Sequence, residues 1–174
     1  MFTFIKSAGG EIGDSIFEED ELVKAASLLE MAKKNNVNLI VPQDSINSRA
    51  FVDNEDYIIS DSKSIPEGLI GLDIGPKTVS EFKNIISKSK TIVWNGPMGV
   101  FEFKNFSTGT KEVVKAVASV TKKGAFSLVG GGDSISALKK FGLSSKVSYI
   151  STGGGAMLHF LETKKLPAGQ AILD

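Results

Sequence analysis

The run Ala125-Phe126-Ser127-Leu128-Val129-Gly130-Gly131-Gly132-Asp133-Ser134 passes from apolar residues through three consecutive glycines into cap-forming polar ones. Few local conformations accommodate it. The apolar part reads as a buried strand, the glycines free the backbone for a tight turn, and Asp133-Ser134 opens a helix. At such a turn backbone N–H groups approach an anion closely, and the helix behind them adds roughly +0.5 charge at its N-terminus. A plain strand-to-helix turn uses the same residues, so the run alone leaves cradle and ligand-free turn both open.

The plan recurs on either side. The apolar run 91–94 precedes Asn95-Gly96-Pro97, and 147–150 precedes Ser151-Thr152-Gly153-Gly154-Gly155. Helical spacing fills the intervals: 108–121 with Val113, Val114, Val117 and Val120 on one face, 133–141 closed by Gly142, and a last helix from about Ala156 to before Pro167. Upstream, 18–36 reads as an amphipathic helix, 37–41 as a strand stopped by Pro42, 45–56 as a polar loop, and Tyr57-Ile58-Ile59 as a strand. After a loop over 60–71, the segment 69–74 is short and apolar, and Pro76 opens a helix to Lys88. Residues 1–6 are too short to classify. The expected fold is α/β, a parallel sheet with helices on both faces in a Rossmann-like three-layer arrangement, over a single domain 1–174. In such folds the turns leaving the carboxyl ends of the strands share one edge, and ligands sit in the crevice there.

Composition narrows the ligand. The chain has no cysteine, which removes disulfides, thiolate zinc sites and a cysteine nucleophile, and fits a cytoplasmic setting. Its 20 Lys+Arg balance 20 Asp+Glu, so no global field draws it to nucleic acid or an anionic membrane, and neither is expected as a partner. No apolar run has the ~18 residues of a membrane span. Arg49 is the only arginine, so the bidentate forks that usually hold a small phosphorylated acid are not clustered here.

Two glycine triplets that each precede a helix let two positive helix ends converge on one anion. No Gly-x-x-x-x-Gly-Lys-Ser/Thr run accompanies them, which excludes the P-loop and its lysine. Asp133 is the candidate magnesium ligand, because Mg²⁺ at a nucleotide takes one or two carboxylates and completes its shell with phosphate oxygens and water. A helix N-cap is its alternative role. Ser134 is a candidate phosphate donor, Asn95 another, and Pro97 stiffens the turn between two glycines. Glu102 suits ribose hydroxyls, or is simply a solvated glutamate. Trp94 reads as core, and His159, the only histidine, as a helix-surface residue.

These strings resemble a known family. Residues 94–102, from Trp94 through Asn95-Gly96-Pro97 to Glu102, with Gly130-Gly131-Gly132-Asp133-Ser134, Ser151-Thr152-Gly153-Gly154-Gly155-Ala156 and Gly71-Leu72-Asp73-Ile74-Gly75-Pro76, are similar in order and spacing to the carboxyl-terminal part of phosphoglycerate kinase. The resemblance implies a glycolytic transferase, a kinase with a carboxyl group as acceptor. It would move a phosphoryl group between 1,3-bisphosphoglycerate and Mg-ADP, giving 3-phosphoglycerate and ATP. It implies nucleotide contacts at Leu69, Gly71, Asn95, Pro97, Glu102, Gly131, Gly132, Asp133 and Ser134, with Mg²⁺ on Asp133. It also implies stabilisation of the phosphoryl group in flight by Gly131, Gly132, Gly154 and Gly155. The family's amino-terminal phosphoglycerate-binding domain has no counterpart here, nor do its first carboxyl-terminal strand-helix units with their lysines. The expectations are therefore an ATP/ADP site without catalysis by the chain alone, and association with itself or a partner through an unpaired sheet edge. Two rivals stand beside this: a non-catalytic nucleotide-binding module and an interaction domain.

Overall fold

Helical and strand periods separate the elements where apolar residues mark them. In chain order the computed structural model, which describes residues 1–165, has α1 (Phe2–Ser7), β1 (Glu11–Ile12), a 3₁₀ turn (Glu19–Glu21) running into α2 (Leu22–Lys34), β2 (Asp44–Ser48), β3 (Tyr57–Asp61), β4 (Ser64–Ile65) and β5 (Ile70–Ile74). Then follow α3 (Pro76–Lys88), β6 (Thr91–Asn95), α4 (Thr108–Lys122), β7 (Phe126–Gly130), α5 (Gly132–Lys140), a 3₁₀ turn (Ser144–Lys146), β8 (Tyr149–Ser151) and α6 (Gly154–Thr163). Pro167, the expected stop of the last helix, lies outside the described residues. The chain divides into two units, one of Met1–Phe82 with Met98–Gly109, the other of Lys83–Pro97 with the chain from Thr110 onward.

The second unit holds the expected parallel sheet, in the order β6-β7-β8. Parallel strands need crossover connections, and α4 and α5 supply them. The face of α4 that the valine spacing marks is the buried one: Val113, Val114, Val117 and Val120 are all buried, as are Val129 on β7 and Ala137 and Leu138 on α5. Trp94 is buried too, and His159 is exposed on α6.

The first unit adds an antiparallel sheet, β3-β2-β5, and a short parallel pair, β1-β4. Its apolar centre is Ile46, Leu72 and Phe106, with Ile70, Val100 and Phe103 packed on it. Two expectations change here. Residues 37–41 form no strand: after α2, Asn36 takes a left-handed φ of 55° and the Val37 N–H returns to Ala32 O at 2.9 Å, closing the helix. The strand lies instead in the stretch expected to be loop, at Asp44-Ser45-Ile46-Asn47-Ser48, where every residue is buried.

A polar strand tolerates burial only if its side chains find partners. Ser45 Oγ donates to Asn47 Oδ1 at 2.8 Å, and Asn47 Nδ2 donates to Ser60 Oγ at 3.0 Å and Ser45 O at 3.1 Å. Asp44 caps α3, its carboxylate accepting the N–H groups of Lys77 (2.9 Å) and Thr78 (2.8 Å) and the Thr78 hydroxyl (2.7 Å). Gly75 has no room for a Cβ because that carboxylate fills the space.

Candidate functional site

The parallel register puts the carboxyl ends of three strands level. Asn95 pairs with Gly130, and Gly130 with Ser151, so the turns that follow β6, β7 and β8 open on one edge of the sheet. That is the shared edge the repeated plan predicts. Helices α5 and α6 begin there, behind Gly131 and Gly153, and no side chain caps either one. Their first-turn N–H groups are left without side-chain partners, at the positive ends of two helix dipoles.

The two turns touch through backbone. A Cβ on Gly154 would overlap Gly131 N and lie 2.8 Å from Gly131 Cα, so these glycines are required for the close approach. Gly131 also takes φ 90°, and a Cβ on it would come 2.7 Å from Asn95 Oδ1. Gly132 and Gly155 differ: a Cβ at either meets nothing within 4 Å. Neither turn packing nor backbone crowding explains a glycine at these two helical positions, where glycine costs up to about 1 kcal/mol relative to alanine.

Asp133 lies exposed in the first turn of α5. It is not the helix N-cap, which is Gly131, so the capping alternative does not hold. No cluster of three or more His, Cys, Asp or Glu able to hold a metal occurs among the described residues, so a cation here would draw most of its ligands from the oxygens of a bound molecule and water. A single exposed carboxylate beside free helix N–H groups fits Mg²⁺ carried by a polyphosphate. Ser134 is fully buried, and its Oγ accepts the Gly96 N–H at 2.7 Å. Its hydroxyl therefore ties the β6 turn to α5, leaving its main chain in the helix's first turn. Asn95 is exposed on this edge and Pro97 is half-buried.

The remaining sequence-predicted residues lie in the first unit. Leu69 is buried. Gly71 donates its N–H to Ser15 Oγ at 3.0 Å, and the Phe2 ring occupies the place a Cβ would take. Glu102 is exposed on the segment between β6 and α4, which returns to β5 through Val100 N–H to Leu72 O at 2.8 Å.

Sequence reasoning missed Asp73. It sits on β5, 2% exposed, and burial, opposed by the N–H groups of Gly109 and Ile74, pushes its carboxyl up to about 7. The available signal was a lone carboxylate between Leu72 and Ile74 in an apolar strand.

Fold and edge together define an α/β module of the kind whose ligands sit beyond the carboxyl ends of parallel strands. The sequence model of phosphoglycerate kinase matches residues 1–164, and the chain belongs to the phosphoglycerate kinase family. It is 54% identical over 177 residues to the phosphoglycerate kinase of Thermosipho africanus, covering 100% of this chain and 44% of that protein. It is 46% identical over 172 residues to "Phosphoglycerate kinase 3, cytosolic" of Arabidopsis thaliana, covering 99% and 43%. Among solved structures, phosphoglycerate kinase from Coxiella burnetii superposes with a TM-score of 0.90 at 40% identity, over 97% of this chain and 43% of that one. The Pyrococcus horikoshii enzyme gives a TM-score of 0.71 at 32% identity, over 98% and 42%. The chain thus spans less than half the length of these relatives.

Proposed function

We propose that this chain supplies the Mg-nucleotide side of the phosphoglycerate kinase reaction, reversible phosphoryl transfer from 1,3-bisphosphoglycerate to Mg-ADP giving 3-phosphoglycerate and ATP. The observation that carries it is the pair of uncapped helix starts at one sheet edge, with Gly132 and Gly155 open and Asp133 exposed in the first turn of α5. Free N–H groups of α5 and α6 receive phosphate oxygens, and Asp133 holds the magnesium that travels with them. Gly131 and Gly154 keep the two turns in register, and Gly132 and Gly155 give the phosphoryl group in flight access to backbone. Such transfer needs positioning and charge stabilisation rather than a covalent enzyme step. Asn95 and Pro97 along the nucleotide, Leu69 and Gly71 by the base and Glu102 at the ribose complete the assignment by family resemblance.

Phosphoglycerate contacts belong to residues beyond those of this chain, so the chain alone binds nucleotide without turning over. The setting is cytoplasmic, as in the Arabidopsis relative's name. No helix among the described residues is long and apolar enough to cross a membrane. Association through an open sheet edge is part of the same proposal, since among the described residues β6 and β8 flank β7 with no further strand in their sheet.

Titration of Mg-ADP into the chain by calorimetry tests the reading. Wild type is expected to bind, and Asp133→Ala to bind about tenfold more weakly or worse with its magnesium dependence lost. A wild type that takes up no Mg-ADP, or an Asp133→Ala variant that binds equally well, overturns it.

A further inference from the structure

Charge that balances over the whole chain is unbalanced within the second unit. Across residues 83–97 and 110–165 lysines outnumber acids twelve to three, the acids being Glu112, Asp133 and Glu162. Three of these lysines line one groove of about 610 Å³: Lys115 and Lys122 on α4, and Lys146 on the 3₁₀ turn that leads into β8. Ser119 and Ser145 line it with them. Because α4 crosses back against the parallel strands, its last turns and the turn before β8 lie at the amino ends of those strands. The glycine turns lie at the carboxyl ends, about 15 Å away along a five-residue strand.

A lysine in the last turn of a helix offsets the helix dipole, which accounts for Lys122. It accounts for neither of the others. Lys146 closes a three-residue turn with little dipole to offset, and Lys115 sits in the middle of α4. Lys115 pairs with Glu112 at 2.9 Å, but Lys83 holds the same carboxylate at 2.7 Å. One acid thus meets two lysines, and an ammonium with three donors gives Glu112 only one of them. Among the described residues Lys122 and Lys146 pair with no acid, and the hydroxyls of Ser119 and Ser145 bond to no protein group.

Like charges gathered round a groove repel one another, and a bound anion relieves that repulsion. Ammonium groups are point-charge donors suited to phosphate oxygens, whereas a planar carboxylate is best matched by a guanidinium fork, and Arg49, the only arginine, lies in the other unit. We propose that the groove between α4 and the turn before β8 is a binding site for a small anion carrying several phosphate groups. Lys115, Lys122 and Lys146 meet its charge, and Ser119 and Ser145 donate hydroxyl hydrogen bonds to its oxygens. The site is separate from the glycine turns and does not depend on the nucleotide reading above.

The probe is tripolyphosphate, titrated without magnesium into the full chain and followed by amide NMR shifts. Saturable shifts are expected at residues 115–122 and 143–146, with inorganic phosphate binding at least about tenfold more weakly. Shifts confined to 130–134 and 153–156 place the probe at the glycine turns and overturn the proposal, as does equal affinity for the two anions. The double variant Lys122→Gln with Lys146→Gln changes two exposed side chains that the fold does not use, and is expected to weaken tripolyphosphate about tenfold or more. The control Lys88→Gln with Lys90→Gln removes the same charge from exposed residues outside the groove and is expected to change affinity less than about twofold. Equal affinities in the two variants reveal only the unit's general field and overturn the site. A single-stranded oligonucleotide is the last arm: if it binds where tripolyphosphate does not, the surface serves nucleic acid and the proposal falls.

Discussion

Individual glycines at the sheet edge have separable duties. Gly154 is held to its size by the backbone of Gly131, whereas Gly132 and Gly155 face open space. Gly154→Ala is therefore expected to lose about 1–3 kcal/mol of stability, measurable as a lowered urea midpoint. Gly132→Ala and Gly155→Ala should leave stability unchanged or raise it by up to about 1 kcal/mol, because alanine is the better helix residue. The same two substitutions should weaken Mg-ADP binding about tenfold or more in calorimetry, since a methyl would stand where phosphate oxygens approach. Asp73 gives a residue-scale signature in pH. Burial raises its carboxyl from 3.8 to about 7, so the folded chain holds the proton more tightly than the unfolded one. Its stabilising contribution is complete below about 3.8 and is lost as pH rises through about 7, on the order of 4 kcal/mol across the window. Denaturation curves from pH 4.5 to 8 should show this decline in wild type and a shallower one in Asp73→Asn.

At the level of elements, β2 is the instructive case. Its Asp44 accepts two amides and a hydroxyl at the start of α3, and Asp44→Ala leaves the two buried Thr78 donors without it. The expected loss is about 2–3 kcal/mol in urea denaturation at neutral pH. The parallel strands β6, β7 and β8, the helices between them and the edge their turns share were all legible, because apolar period and glycine punctuation both report burial and chain reversal. β2 was not. Hydrophobic patterning is blind to a strand whose buried side chains, Ile46 apart, are Asp, Ser and Asn, satisfied by partners such as Thr78 and Ser60 that lie 13 to 34 residues away. The apolar run 37–41 misled for the converse reason, since apolar residues also follow a helix end. In the candidate site, Asp133 and the glycines were visible as types, but the engagement of the Ser134 hydroxyl with Gly96 needed a structure.

For the molecule as a whole, the match to less than half of each relative sets the expected behaviour. A coupled kinase assay of the chain alone should show no turnover above background, with activity restored only when a phosphoglycerate-binding partner segment is added. Turnover without it would overturn the reading that phosphoglycerate is held by residues outside this chain. A second whole-molecule consequence lies in the order of the segments. Met98–Gly109 belongs with Met1–Phe82, yet Lys83–Pro97 of the other unit is threaded between them. Phe106, at the centre of the first unit's core, is therefore synthesised only after β6, which belongs to the other unit. Neither unit is a contiguous piece of chain, so no single proteolytic cut or gene truncation can release one of them whole, and recombination that shuffles modules must carry both across together.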